Sequence, residues 1–189
     1  MIDLRISDDP TPRNLDMAFD LLRGGEGANK DYPGHDGWVE VTIENMRLGL
    51  GKVALIASYN GVPMALVIYQ RHPDMPNMVE VKNMTLTPQL IRSNLPGLPG
   101  LLLQTLDKSV TDTYPETQTL VADTKASNAR VIRLAEQNGW EVAATTMLVG
   151  SGKFGHNGKP DVVLTKDVRS QTPSKREKTT PFGFVIPRP

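Results

Sequence analysis

Two stretches of the chain set polar side chains where a strand gives way to a helix. The first, Glu80 to Val110, reads EVKNMTLTPQLIRSNLPGLPGLLLQTLDKSV. Val79 to Leu86 is rich in β-formers and meets Thr87-Pro88, and proline ends a strand because it has no amide to donate to the ladder. A loop holding Arg92, Ser93, Asn94, Pro96, Gly97, Leu98, Pro99 and Gly100 follows; then Leu102, Leu103, Leu106 and Val110 recur on one side of a helix. Strand, glycine-bearing loop and helix is the layout in which backbone amides converge on a phosphate at a helix N-terminus. Arg92 would add a charge-assisted bond to that phosphate. A plain proline-glycine connection has the same composition.

The second stretch, Thr119 to Trp140, reads TLVADTKASNARVIRLAEQNGW. Thr119 to Ala122 is a strand, Asp123, Thr124 and Lys125 form a turn, and Ser127 or Asn128 supplies a capping oxygen to the next helix. Val131, Leu134 and Ala135 are spaced to face a core, and Gly139 stands where a helix ends in positive φ. An Asn side chain and a helix start thus fall at a strand end, where α/β proteins commonly bind cofactors.

The remaining elements must hold these two stretches together. Ile2 to Ile6 reads as a strand, Thr11 to Leu22 as a helix, and Trp38 to about Leu50 as a second helix. The intervening loop, Gly24 to Gly37, carries Tyr32 and His35. Two apolar runs flank Asn60-Gly61 within Val53 to Tyr69, a strong hairpin signal, and Val79 to Leu86 completes a meander. Glu141 to Val149 and Asp161 to Leu164 form a last hairpin around Gly150 to Pro160. The order is β-α-α-β-β-β-α-β-α-β-β. Residues 1–167 form one domain, and 168–189 a polar, proline-rich tail expected to be flexible.

Composition removes several classes of chemistry. The absence of cysteine excludes a disulfide scaffold, a thiol nucleophile and a zinc–thiolate site. No G-x-S-x-G elbow occurs, and His35, His72 and His156 are too scattered to suggest a metal centre. Lys+Arg and Asp+Glu balance at 21 each, which argues against nucleic acid or an anionic membrane as partner. No apolar run is long enough to span a bilayer, and the N-terminus lacks signal-peptide features. A cytoplasmic enzyme is expected.

Together the two stretches resemble the GNAT superfamily of acyl-CoA-dependent N-acetyltransferases. Leu86-Thr87-Pro88 looks like the family's V-x-P, and Leu102-Leu103 like its Leu-Leu pair. Asn128, Leu134, Gly139 and Trp140 are in register with N-x-x-A-x-x-L-Y-x-x-x-G-F. The chain departs from the pattern at three places. Arg92 is two residues further from the helix, Pro99 replaces the second glycine of the pyrophosphate loop, and Ala135 stands where many relatives have tyrosine.

The resemblance implies an α+β, three-layer αβα fold, with a mixed, mostly antiparallel twisted sheet of about seven strands and about four helices. It implies acetyl-CoA as acyl donor, without a metal, and direct attack of a primary amine on the thioester. The cofactor would lie on Met84, Thr85, Leu86, Arg92, Ser93, Asn94, Gly97, Leu98, Gly100 and Asn128. Glu80 is the first choice as base for the amine proton and Asp123 the second. The usual tyrosine acid being absent, Tyr59, Tyr69 and Tyr114 are the candidates left. The expected acceptor is a small-molecule amine or amino-acid derivative, and a homodimer is compatible with the sequence. The alternatives are acetylation of a protein amine or of aminoacyl-tRNA, and a non-catalytic acyl-CoA-binding domain.

Overall fold

The computed structural model describes residues 4–7, 12–24, 35–87, 97–147 and 160–169. Arg92, Ser93 and Asn94 lie outside these residues, as do loop 25–34, His156 and the tail beyond 169. The chain runs β1 (Leu4–Ser7), α1 (Pro12–Gly24), α2 (His35–Arg47), β2 (Lys52–Tyr59), β3 (Val62–Arg71), β4 (Met78–Leu86), α3 (Leu98–Thr113), β5 (Thr119–Lys125), α4 (Ala129–Gln137), β6 (Glu141–Met147) and β7 (Pro160–Asp167). This is the order that periodicity predicts.

Local chemistry explains most boundaries. Asn60 (φ 49°) and Gly61 (φ 75°) both take left-handed backbone, the requirement of the tight turn whose twist matches two antiparallel strands. Helix α2 opens at His35, inside the expected loop, and stops at Arg47, short of Leu50. Gly49 and Gly51 follow at φ 66° and 72°, which a continuing helix cannot accommodate.

The seven strands form one sheet in the order β1-β2-β3-β4-β5-β7-β6. Every neighbouring pair is antiparallel except β4 and β5. The sheet is therefore mixed and mostly antiparallel, as expected, and β7 lies between β5 and β6. Asp123, Thr124 and Lys125 are strand rather than turn, because β7 pairs with them through Val163, Val162 and Asp161. The turn falls instead at Ala126 and Ser127.

Helices cover both faces. On one, Leu98, Leu102, Leu103, Leu106 and Val110 of α3 and Ala135 of α4 pack on Leu55, Val67, Val79, Leu120 and Leu164. Ile132 and Leu134 join this cluster from α4, so the helix is turned by one residue from the phase that Val131 suggests. On the other face, Phe19 and Leu22 of α1 and Val39, Ile43 and Met46 of α2 pack on Ile56, Leu66 and Ile68. Two apolar clusters separated by a sheet make the three-layer αβα architecture.

One ion pair is buried on the α3 side. Lys166 of β7 meets Asp107 of α3 at 2.5 Å, with the two side chains 3% and 10% exposed. Val168, just past β7, is buried beside this cluster, and its N–H donates to Gln118 O at 3.0 Å. Removing one member of a buried pair strands the other charge, whereas replacing both with apolar groups does not. Asp107→Ala is therefore expected to cost about 3 kcal/mol of unfolding free energy. Asp107→Leu with Lys166→Met should cost much less, as denaturant unfolding of the two variants would reveal.

Candidate active site

The site is built on a split in the sheet. Strands β4 and β5 pair only from Met78↔Thr119 to Val81↔Ala122. Both strands then continue, β4 to Leu86 along β3 and β5 to Lys125 along β7. Beyond Val81 and Ala122 each strand thus turns one edge toward a gap. The cause is local. Ile68 pairs with Asn83 but Tyr69 pairs with Val81, so Lys82 is an extra residue in β4. A bulge of this kind bends the strand that carries it and raises its twist.

The bulge also decides which side chains face where. Val79 and Val81 before it, and Met84 and Leu86 after it, pack toward α3. Asn83 and Thr85 pair across from Ile68 and Leu66 and are buried on the α1/α2 side. There the Thr85 hydroxyl donates to Asn83 Oδ1 at 2.6 Å. Of the three residues expected on β4, Met84 and Leu86 thus commit their side chains to the core and Thr85 to Asn83. Met84 and Leu86 turn their backbone N–H and C=O groups to the gap, whereas those of Thr85 face β3, in step with the Thr87 amide that donates to Met64 O.

Two helix starts stand beyond this split. Gly97 caps α3 at φ 90° without a side-chain cap, and Pro99 lies in the first turn. The Leu101 amide donates to Gly97 O at 2.8 Å, which leaves the Leu98 and Gly100 amides as the donors of this end; Pro99 has none. Asn128 occupies the N-cap position of α4, yet its side chain makes no cap bond. Its Nδ2 donates instead to Thr124 Oγ1 at 3.2 Å, tying the helix start to the end of β5. The expected capping role of Ser127 or Asn128 is therefore corrected: no side chain caps this helix.

At the base of the split, on the α1/α2 face, lies Glu80. Its Oε2 accepts from Gln70 Nε2 at 3.0 Å and meets Lys82 Nζ at 2.5 Å. Its Oε1 is 3.5 Å from His72 Nε2. His72 Nδ1 accepts from the Asp74 amide at 3.1 Å, so in the neutral ring the proton sits on Nε2 and points at Glu80. Asp123 is exposed in β5, one residue past the last β4–β5 pair. Alternation puts it on the same face as Val121, the register partner of Glu80.

Sequence reasoning missed what stands beside this carboxylate. Lys52, Gln70 and Glu80 form one transverse row of register partners across β2, β3 and β4. Lys52 Nζ donates to Thr42 Oγ1 of α2 at 2.9 Å and lies 5.6 Å from the centre of the Trp38 ring. Burial pushes the Lys52 ammonium below its ordinary value, and repulsion from Lys82 adds to the shift. His72, just past β3, is also beside Glu80. No sequence spacing marks these contacts, because strand pairing creates them.

Two of the three tyrosines expected as acid candidates are accounted for elsewhere. Tyr69 is fully buried under α3, its hydroxyl 2.7 Å from Ser109 Oγ. Tyr114 donates to Gly51 O at 3.1 Å; burial raises its phenol, and Arg71 partly offsets this. Tyr59 ends β2, two strands from β4. Ala135 is buried in the α3-side core.

No family model and no curated protein sequence matches the chain. Solved structures do. The ribosomal-protein-S18-alanine N-acetyltransferase of Escherichia coli aligns with a TM-score of 0.62 at 18% identity, over 95% of this chain and all of that one. AAC(6′)-Ib in complex with paromomycin and acetyl-CoA aligns at 0.60 and 20% identity, over 93% and 99%. A GNAT family acetyltransferase from Elizabethkingia anophelis with acetyl-CoA bound aligns at 0.57 and 15%, over 88% and 97%. The chain has the fold of the GNAT acetyltransferases. No helix among the described residues is long and apolar enough to cross a membrane.

The lowered Lys52 ammonium has a consequence for stability. A lysine whose pKa falls on folding weakens the fold while it is charged, and this cost is lifted as pH rises through the folded value toward 10.5. Unfolding free energies of wild type and Lys52→Met, measured from pH 7 to 10.5, should therefore shift relative to one another in favour of wild type.

Proposed function

We propose that the protein is an N-acetyltransferase that moves the acetyl group of acetyl-CoA to the primary amine of a small molecule or amino-acid derivative. The observation that carries this reading is the separation of β4 from β5 beyond Val81 and Ala122. It offers an extended thioester-bearing arm a slot lined by strand edges. The amides of Leu98 and Gly100, the start of α4 at Asn128, and Arg92 would take the anionic end of the cofactor. Two of the similar structures hold acetyl-CoA, which supports this assignment of the donor.

In this reading the amine nitrogen attacks the thioester carbonyl directly and forms the new C–N bond. A backbone N–H on the β4 edge near Met84, Thr85 and Leu86 stabilises the oxygen as it gains charge, an effect worth roughly 3 kcal/mol. Collapse breaks the C–S bond and releases the CoA thiolate. Glu80 accepts the amine proton, directly or through water, using the Oε1 oxygen, which Lys82 and Gln70 do not engage and which faces only His72 Nε2, at the longer distance of 3.5 Å, among its described partners. Asp123 is the second candidate for that proton. With no cysteine in the chain, direct transfer needs no acyl-enzyme. The thiolate is a good leaving group, and the positive end of a helix dipole assists it.

Calorimetric titration of the full chain with acetyl-CoA is the first test. Micromolar binding weakened at least tenfold by Arg92→Ala is the expected result. Lack of binding to both acetyl-CoA and free CoA would rule the reading out. For the base, Glu80→Gln should lower kcat about 100-fold while acetyl-CoA affinity stays within twofold, and an unchanged kcat would remove Glu80 from the role.

A further inference from the structure

A half-buried cation stands on the α1/α2 face of the sheet. Lys52 is half-buried between Thr42 and the Trp38 ring. Among the described residues it makes no ion pair with a carboxylate. The charged group that acts on it is another ammonium, Lys82, which is already paired with Glu80. Taking an ammonium out of water costs free energy unless an opposite charge replaces the lost hydration. One of its three N–H donors goes to Thr42, and the ring offers only its face.

We infer that Lys52 binds the carboxylate of the acceptor, so that the protein acylates a carboxylate-bearing amine. This rests on the acyltransferase reading and names the substrate class for the same site. The row Lys52–Gln70–Glu80 sets the geometry. Adjacent strands are about 4.8 Å apart, so the Lys52 and Glu80 backbones are separated by roughly 10 Å. Gln70 lies between them and leans onto Glu80, while the Lys52 ammonium stands beside Thr42 of α2. A compact amino acid fits that span, with its carboxylate on Lys52 and its amine beside Glu80. Trp38 walls the carboxylate end. Lys52 is the one cation of this row, and its single charge matches a monoanionic carboxylate rather than a phosphate.

The test compares kcat/KM for amino acids with the amines that remain when the carboxylate is removed: phenylalanine beside phenethylamine, leucine beside isoamylamine, glycine beside methylamine. Aminomethylphosphonate serves as the phosphonate arm. The acids are expected to be favoured at least tenfold. Lys52→Met should lower kcat/KM for the acids at least 30-fold, mainly through KM, and change the amines less than threefold. Lys52→Arg should recover part of the loss. Acetyl-CoA affinity of Lys52→Met, measured by calorimetry, should stay within twofold and certify a folded protein. Equal use of acids and amines, equal losses for both in Lys52→Met, or a preference for the phosphonate would overturn the inference while the acyltransferase reading stands. Absence of acetyl-CoA binding in wild type would instead remove that reading, and this inference with it. If acetyl-CoA binds but none of these acceptors is acylated, N-acetylglycine and N-methylacetamide are titrated onto the CoA-saturated protein. Binding of the former alone, lost in Lys52→Met, supports the inference, and any other result ends it.

Discussion

A single extra residue in β4 governs the arrangement of everything around it. Val79 and Val81 must face α3, and Met84 and Leu86 must face α3 as well. A regular strand cannot satisfy both pairs, because its side chains alternate with a period of two. Without the bulge at Lys82, Asn83 and Thr85 would point into the apolar layer beneath α3. The same insertion bends β4 away from β5 and ends their pairing at Val81↔Ala122. Core packing and the opening of the sheet therefore have one cause, and neither can be altered alone.

The two faces of the sheet use charge differently. Toward α3 the layer is apolar apart from a few groups such as Asp107 and Lys166, whose buried ion pair joins a helix to a strand. Toward α2 the polar groups are only partly covered: Lys52, Gln70, His72, Glu80 and Lys82 lie close together with Thr42 and Trp38 above them. The first arrangement holds elements in place. The second keeps side chains in reach of solvent at the foot of the split, where chemistry on a soluble amine has to occur.

Much of this was legible in the residues. The element order followed from periodicity, and Asn60-Gly61 announced its hairpin. The break in β4 also left a trace, since its apolar positions run 79, 81, 84, 86, a gap of three where a strand has two. Other features were hidden for physical reasons. Asp123, Thr124 and Lys125 have turn chemistry, but pairing with β7 overrides local preference. The phase of α4 depends on which of two adjacent β-branched residues meets the core, and Ile132 wins over Val131. Lys52 and Glu80 are far apart in sequence and come onto one row only through sheet register.

The position of β7 bears on how the chain acquires its shape during synthesis. Strand β5 is paired to β4 over four residues and to β7 over its whole length. Yet residues 126–159, including all of α4 and β6, must be made before β7 can begin to meet it. A nascent chain that stops short of β7 presents β5 as an open edge and β6 with no partner in the sheet, and unpaired edges invite association with other chains. The sheet becomes continuous only when its last strand is threaded between two that are already made. Emergence of β7, rather than completion of the β1–β4 meander, is thus the event that makes the sheet continuous.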